Sequence, residues 1–136
     1  MFKKMLKNER GLTLIELLAV VVILGIIAAI AVPAIGNVIQ KSKEDAVHAE
    51  AISVLEAAKL YDSTNGSTSG VTYTNTNQGT NPSTALNDNL NGVGQYSITM
   101  AVTNGKYTYT NIKVTKNNIT KTYATEAKLR ANDTSQ

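Results

Sequence analysis

The sequence has no cysteine and no tryptophan, and only one histidine and one phenylalanine among its 136 residues. Without cysteine, the chain forms no disulfide bonds, no thiolate metal sites and no cysteine nucleophile. With His48 alone, metal sites built from several histidines are excluded, and little remains for acid–base catalysis. The scarcity of aromatic side chains also argues against a pocket for a large aromatic ligand.

Arrangements of residues that carry out catalysis are missing as well. The sequence shows no nucleophile–base–acid set, no phosphate-binding loop and no pair of carboxylates placed for a common cleft. Isolated acids such as Asp62, Asp88 and Asp133 are interpreted as turn and cap residues. We therefore predict that the protein is not an enzyme and has no catalytic residue, metal site or cofactor.

The formal charge of +3 belongs to the first eleven residues. They hold Lys3, Lys4, Lys7 and Arg10 against Glu9, whereas the rest of the chain holds nine basic and nine acidic residues. Domains that bind nucleic acid carry a basic stripe on a folded surface. The charge therefore indicates a basic N-terminal segment and is weak evidence for nucleic-acid binding.

A long apolar run follows this basic segment. As a helix, residues 12–32 span roughly 30 Å, the hydrocarbon thickness of a bilayer, and the preceding basic residues place the N-terminus in the cytoplasm. A cleavable secretory signal has a shorter apolar core, of about 7–15 residues. A plain membrane anchor fits the length, but it does not explain the carboxylate of Glu16 or the helix-weakening residues Gly25 and Pro33.

Residues 11–16, with the sequence GLTLIE, connect the basic segment to the apolar helix. This pattern resembles the signature of type IV prepilins, and the resemblance extends over residues 3–45. In that family a short basic leader ends in glycine. A membrane-bound prepilin peptidase cuts after the glycine and methylates the new terminal amine, and the fifth residue after the cut is glutamate.

For this chain, the resemblance implies cleavage between Gly11 and Leu12, N-methylation of Leu12, an assembly role for Glu16 and helix flexibility at Gly25 and Pro33. Leu12 stands where the family usually has Phe or Met. The implied function is that of a structural subunit of a type IV pilus or pilus-like filament, used in adhesion, motility, DNA uptake or secretion. Whether the chain is a major pilin, or a minor pilin or pseudopilin of a secretion or competence system, stays open.

The implied partners are copies of the same chain in a helical filament, the prepilin peptidase, the inner-membrane assembly platform, minor pilins and membrane lipid before assembly. The assembled filament would contact surfaces or DNA. The chain would first cross the cell membrane once, with its N-terminus in the cytoplasm and its head outside, and would then reach the cell surface in the filament. The alternative is a single-pass membrane-anchored binding domain with an extracellular β head that does not polymerise. A mere anchor, however, needs neither Gly11 nor Glu16.

The predicted fold class is α+β, with a long N-terminal helix packed on a small antiparallel sheet. The predicted segments are a leader at 1–11, a transmembrane and assembly helix at 12–35, an amphipathic helix at 36–62, a loop rich in Ser, Thr, Asn and Gly at 63–94, a β-meander head at 95–126 and a flexible tail at 127–136.

Apolar residues at helical spacing predict which face of the second helical half packs on the sheet. They are Ile35, Val38, Ile39, Ala46, Ala49, Ile52 and Leu55. This choice places His48 on the solvated side, without a role. A turn cluster after Tyr61 is expected to end the helix.

Alternation of apolar residues from Tyr96 to Val102 predicts a strand, and Asn104-Gly105 predicts a hairpin turn. The next strand changes parity between Tyr109 and Ile112, which predicts either a bulge near Thr110-Asn111 or a strand whose two ends bury different faces. A second turn at 116–118 and a third strand at 119–123 complete the predicted meander. Within the loop, residues 71–74 are a candidate short strand and residues 85–90 a short helix or turn.

Overall fold

The computed structural model describes residues 2–76, 86 and 89–136, with side chains from Thr13 onward. The chain divides into two compact units, Met1–Lys41 and Ser42–Gln136, which we call the N-terminal unit and the head. Within the described residues, the elements are helix α1 (Phe2–Asn65), strands β1 (Val71–Thr74), β2 (Gln95–Thr103), β3 (Lys106–Lys116) and β4 (Ile119–Thr125), and helix α2 (Glu126–Arg130).

In the head, α1 packs on the sheet through one face, whose residues recur at three- and four-residue spacings. The buried residues of α1 are Val47, Ala51, Val54, Leu55, Ala57, Ala58 and Asp62. The predicted face was wrong in part, because Ala46 and Ala49 are exposed and Ile52 is only half-buried. Both faces carry small apolar residues at helical spacing, so the periodicity alone does not distinguish them.

The four strands form one antiparallel sheet in the order β1-β2-β3-β4. The predicted three-strand meander is confirmed in β2, β3 and β4. The candidate short strand at residues 71–74 is also confirmed, and as β1 it adds a fourth strand to the sheet. Both hairpin turns use two residues with positive φ. These are Asn104 and Gly105 (52° and 76°) and Asn117 and Asn118 (51° and 63°). Such turns match the twist of the flanking strands, and asparagine and glycine tolerate this backbone best.

The predicted bulge in β3 is confirmed. Ser97 pairs with Lys113, and Thr99 pairs with Thr110. One residue of β2, Ile98, therefore faces two residues of β3, Asn111 and Ile112. One of these two, Asn111, has a φ of 52°. The extra residue reverses the alternation of side chains, and as a result Tyr109 and Ile112 both lie in the core.

The core of the head lies between α1 and the inner face of the sheet. Besides the residues of α1, its fully or nearly buried members are Tyr73, Leu86, Leu90, Tyr96, Ile98, Met100, Tyr109, Ile112, Val114, Tyr123 and Leu129. The segment 63–94 thus supplies core residues and is more than a surface loop. Most of the element predicted at 85–90 lies outside the described residues.

Asp62 is a buried polar group near the C-terminal end of α1. It is fully buried and its carboxylate accepts hydrogen bonds from the hydroxyls of Tyr73 and, at 2.8 Å, Tyr109. Burial, together with the bond to Asp62, raises the pKa of both tyrosines, so the hydroxyls remain protonated donors at neutral pH. The interpretation of Asp62 as a turn residue is therefore wrong. α1 continues past Tyr61 to Asn65.

Polar contacts also hold the start of β2. Glu50 of α1 accepts hydrogen bonds from the ammonium of Lys116 and, at 3.1 Å, from the backbone N–H of Gly94. The Asn75 side chain donates to the Gly94 carbonyl and accepts from the Tyr96 N–H, both at 2.8 Å. The backbones at Gly94 and Thr115 approach each other so closely that a Cβ at Gly94 would lie 2.2 Å from the carbonyl oxygen of Thr115.

The C-terminal region is more structured than the predicted tail. Residues 126–130 form α2, which Thr125 caps and whose Leu129 is buried. Glu126 accepts hydrogen bonds from Lys59 of α1 and from Arg130. The tail prediction is therefore wrong for residues 127–130, where helix replaces it.

His48 also lies in a different place from the one predicted. Its ring is half-buried, and its Nδ1 lies 2.9 Å from the hydroxyl of Tyr123 in β4. The ring therefore faces the sheet instead of solvent, because it neighbours the buried Val47 on the helix surface.

We expect Asp62→Ala to destabilise the head by about 3 kcal/mol, because two buried hydroxyls lose their acceptor. Asp62→Asn should cost less, since an amide oxygen can still accept one of the two bonds. Chemical denaturation of the full chain in detergent micelles, followed by tyrosine fluorescence, measures the difference. Asp133→Ala, which removes an exposed acid, is the control. Equal denaturation midpoints for Asp62→Ala and this control would contradict the prediction.

Candidate functional site

The N-terminal unit presents apolar side chains on every side of α1. Sixteen large apolar residues between Thr13 and Gln40 are exposed, from 49% for Ile39 to 70% for Ile30. They are Leu14, Ile15, Leu17, Leu18, Val20, Val21, Val22, Ile23, Leu24, Ile26, Ile27, Ile30, Val32, Ile35, Val38 and Ile39. A helix that is apolar all round requires surroundings of lipid or protein.

In the described part of the chain, one helix is long and apolar enough to cross a membrane. Burying one Val, Leu or Ile side chain is worth about 1.5–3 kcal/mol. Removing sixteen such side chains from water is therefore worth tens of kcal/mol. This energy, together with the length of the run, supports membrane anchoring through α1.

Glu16 interrupts this apolar surface. It is the only charged residue from Thr13 to Gln40, and it is exposed between Ile15 and Leu17. A carboxylate at membrane depth is costly unless a cation or a hydrogen-bond donor approaches it. Leu12 lies four residues earlier, one helical turn away on the same face.

Gly25 and Pro33 both lie within α1, which is helical on both sides of each residue. A Cβ at Gly25 would meet no atom within 4 Å. No close contact within this chain therefore requires glycine at this position. Pro33 has no N–H, so the carbonyl of Ala29 lacks its usual helical donor. The helix between them is intact in the isolated chain.

The family model of the prokaryotic N-terminal methylation motif matches residues 6–32. The match includes Gly11, Leu12, Glu16 and Gly25, and it ends one residue before Pro33. This motif marks a type IV prepilin-like protein. The resemblance that the sequence suggested is thus confirmed. No curated protein and no solved structure matched the chain.

The arrangement of a prepilin-like protein is also present in the fold, with a long N-terminal helix and an antiparallel sheet. Gly11, Leu12, Glu16, Gly25 and Pro33 all lie on α1. Their roles in cleavage, methylation, assembly and flexibility remain predictions. Among the described residues, no group of three or more His, Asp or Glu side chains could hold a metal ion.

The roles of polar residues in the prepilin-like head are harder to predict from sequence. The burial of Asp62 had one local signal, since it continues the spacing of Leu55 and Ala58 along the buried face of α1. Glu50 had no comparable signal, because its partners Gly94 and Lys116 are 44 and 66 residues away along the chain.

We predict that Gly11→Val blocks removal of residues 1–11, because a branched side chain at this position would obstruct a peptidase that recognises glycine. Intact-mass measurement of protein from the native host tests this. The unsubstituted protein should begin with N-methylated Leu12, whereas the variant should retain Met1–Gly11. Gly36→Ala, a glycine substitution in open space on the same helix, should be processed normally. Retention of residues 1–11 in the unsubstituted protein would refute the predicted cleavage.

Proposed function

We propose that this prepilin-like protein is the structural subunit of a pilus or pilus-like filament and polymerises through α1 after removal of its leader. The observation that carries the proposal is Glu16, the single carboxylate from Thr13 to Gln40 on an exposed helical surface that is mainly apolar. The methylation motif over residues 6–32 supports the same reading. The prepilin peptidase, an inner-membrane assembly platform, minor pilins and further copies of the chain are the proposed partners.

The apolar surface of α1 is covered first by lipid and then by other copies of the chain. Before assembly, lipid surrounds residues 13–40, since apolar side chains and a fully paired helical backbone are what a bilayer accepts. During assembly, the α1 helices of other copies replace lipid around the same side chains. Packing between Leu, Ile and Val side chains supplies the bulk of the contact, and the head is then carried to the cell surface.

Glu16 selects one axial register between neighbouring copies, which apolar packing alone does not. Cleavage after Gly11 creates an amine on Leu12, and this amine is the cation nearest in sequence to Glu16 in the mature chain. In an apolar environment, attraction between an amine and a carboxylate is far stronger than in water. The amine of an incoming copy would therefore be drawn to an unpaired Glu16 of the copy before it, which selects one axial register.

A membrane-anchored binding domain that does not polymerise is the competing proposal. Such a protein would gain nothing from a carboxylate within its anchor, because the carboxylate lowers the stability of the inserted helix. It would also have no use for the cleavage and methylation that the motif at residues 6–32 implies. The filament proposal accounts for both features.

We expect Glu16→Ala to abolish filaments or reduce them severely, while expression, membrane insertion and head folding persist. Glu16→Asp should restore assembly only in part, because its shorter side chain reaches less far toward the amine. Filaments sheared from cells are quantified by electron microscopy and immunoblotting, against the membrane pool of the same protein.

Glu56→Ala is the matched control for this experiment, since it removes an exposed carboxylate from the same helix. Its ion pair with Arg130, at 3.0 Å, lies on the surface of the head and contributes little to stability. Normal filament numbers from Glu16→Ala cells would show that apolar packing alone holds the polymer.

The stretch from Gly25 to Pro33 should lose regular helical structure in the filament. In a bilayer, unpaired backbone amides are costly and keep the stretch helical, whereas surrounding copies in a filament can accommodate an unwound segment. A density map of the filament tests this, and unbroken helical density from residue 25 to residue 33 would contradict it. Pro33→Ala should reduce filament extensibility and leave the denaturation midpoint of the head unchanged.

A further inference from the structure

The only histidine of the chain belongs to a hydrogen-bonded cluster that links α1, β4 and the C-terminal residues. His48 Nδ1 lies 2.9 Å from the Tyr123 hydroxyl, and the two rings meet edge to face with 5.6 Å between centroids. The same hydroxyl lies 3.1 Å from Oδ1 of Asn132, and Lys121 Nζ lies 3.1 Å from that oxygen. Asn132 follows α2, so its side chain connects the end of the chain to the sheet.

The donors and acceptors of the cluster determine where its protons lie. The Lys121 ammonium can only donate, which identifies the Asn132 atom that it contacts as the amide oxygen. Burial raises the pKa of Tyr123 to about 12, so its hydroxyl keeps its one proton at neutral pH. If Tyr123 donates this proton to Asn132, its oxygen must accept from His48. Neutral His48 then carries its proton on Nδ1, and a second proton can bind only at Nε2.

The charges around His48 oppose that second proton. Lys121 of β4 is held near the ring through the shared contact with Asn132, and a protonated His48 would place two cations in one cluster. Asp45 of α1 favours the charged ring, and Glu44 of α1 lines a shallow groove together with Lys121 and Thr134. Burial and Lys121 outweigh Asp45, and together they lower the pKa of His48 below its ordinary value of 6.5.

We propose that His48, Tyr123 and Asn132 form a pH-sensitive latch that seats residues 131–136 on the head and loosens when His48 is protonated. With His48 neutral, Asn132 accepts from both Tyr123 and Lys121. With His48 charged, repulsion moves Lys121 toward solvent, and Asn132 loses one of its two donors. The segment then depends on its contacts with α2, among them the bond from Lys128 Nζ to the Ser135 carbonyl, at 2.5 Å.

The direction of the pH effect follows from reciprocity between proton binding and seating. Because the seated state disfavours protonated His48, binding of a proton must disfavour the seated state. The latch should therefore be fully closed above pH 6.5 and should open progressively as the pH falls below that value.

Nuclear magnetic resonance of the full-length, ¹⁵N-labelled chain in detergent micelles tests the latch, since a single histidine gives an unambiguous ring signal. We expect the Nδ1-protonated tautomer at neutral pH and a midpoint below 6.5. The side-chain amide signal of Asn132 should shift with the same midpoint. Amide exchange in residues 131–136, corrected for intrinsic rates, should become about threefold faster in acid, as expected for the loss of one hydrogen bond.

Variants separate the latch from unrelated titrations. Asn132→Ala, at an exposed position, should raise the midpoint of His48 toward 6.5 because it releases Lys121. His48→Gln should abolish the acid-induced rise in exchange, whereas Lys106→Ala, which removes an exposed cation at the start of β3, should leave both effects intact. The proposal is overturned if the Asn132 signal does not follow His48, or if Asn132→Ala leaves the histidine midpoint unchanged. Neither result depends on filament formation.

Discussion

The exposed apolar surface of α1 is the constraint on which the rest of this protein depends. Residues 13–40 have no polar face that could be turned toward water, and Glu16 is their only charge. The N-terminal unit is therefore stable only in contact with lipid or with other protein. A filament built from such helices can exchange one apolar environment for another, at little cost in hydrophobic free energy.

The head meets a different requirement, because it must stay folded in water without disulfide bonds. Its core is apolar, but α1 is also joined to the sheet by polar contacts at fixed positions. Asp62 binds tyrosines from β1 and β3, Glu50 binds the start of β2 and Lys116, and Lys59 pairs with α2. Each contact ties a separate segment of the sheet region to one helix. The helix is thereby linked through polar groups to β1, to the start of β2, to β3 and to α2.

How far the sequence predicts this structure depends on the range of the interactions involved. The apolar helix, the hairpin turn at Asn104-Gly105 and the bulge near Asn111 were predicted, since each is encoded by neighbouring residues. The role of Asp62 was missed because its partners Tyr73 and Tyr109 are 11 and 47 residues away.

The buried face of α1 shows the same limit in another form. Two faces of this helix carry small apolar residues at helical spacing, and only contact with the sheet selects the one that includes Val47 and Ala51 over the one that includes Ala46 and Ala49. His48 was misplaced by the same error. In the candidate site, the positions of Gly11 and Glu16 could be read from sequence, because their spacing along one helix is itself the motif.

The position of Glu16 gives the proposed assembly a dependence on processing. Before cleavage, the backbone nitrogen of Leu12 is part of a peptide bond and carries no charge. After cleavage it is an amine, and a cation is present one helical turn from the only carboxylate of the apolar run. The same cut removes Lys3, Lys4, Lys7 and Arg10, whose transfer across the membrane would be costly. In the proposed assembly, a single hydrolysis would therefore create the group that pairs with Glu16 and remove the charges that retain the subunit. Unprocessed copies would then be excluded from the filament by electrostatics alone.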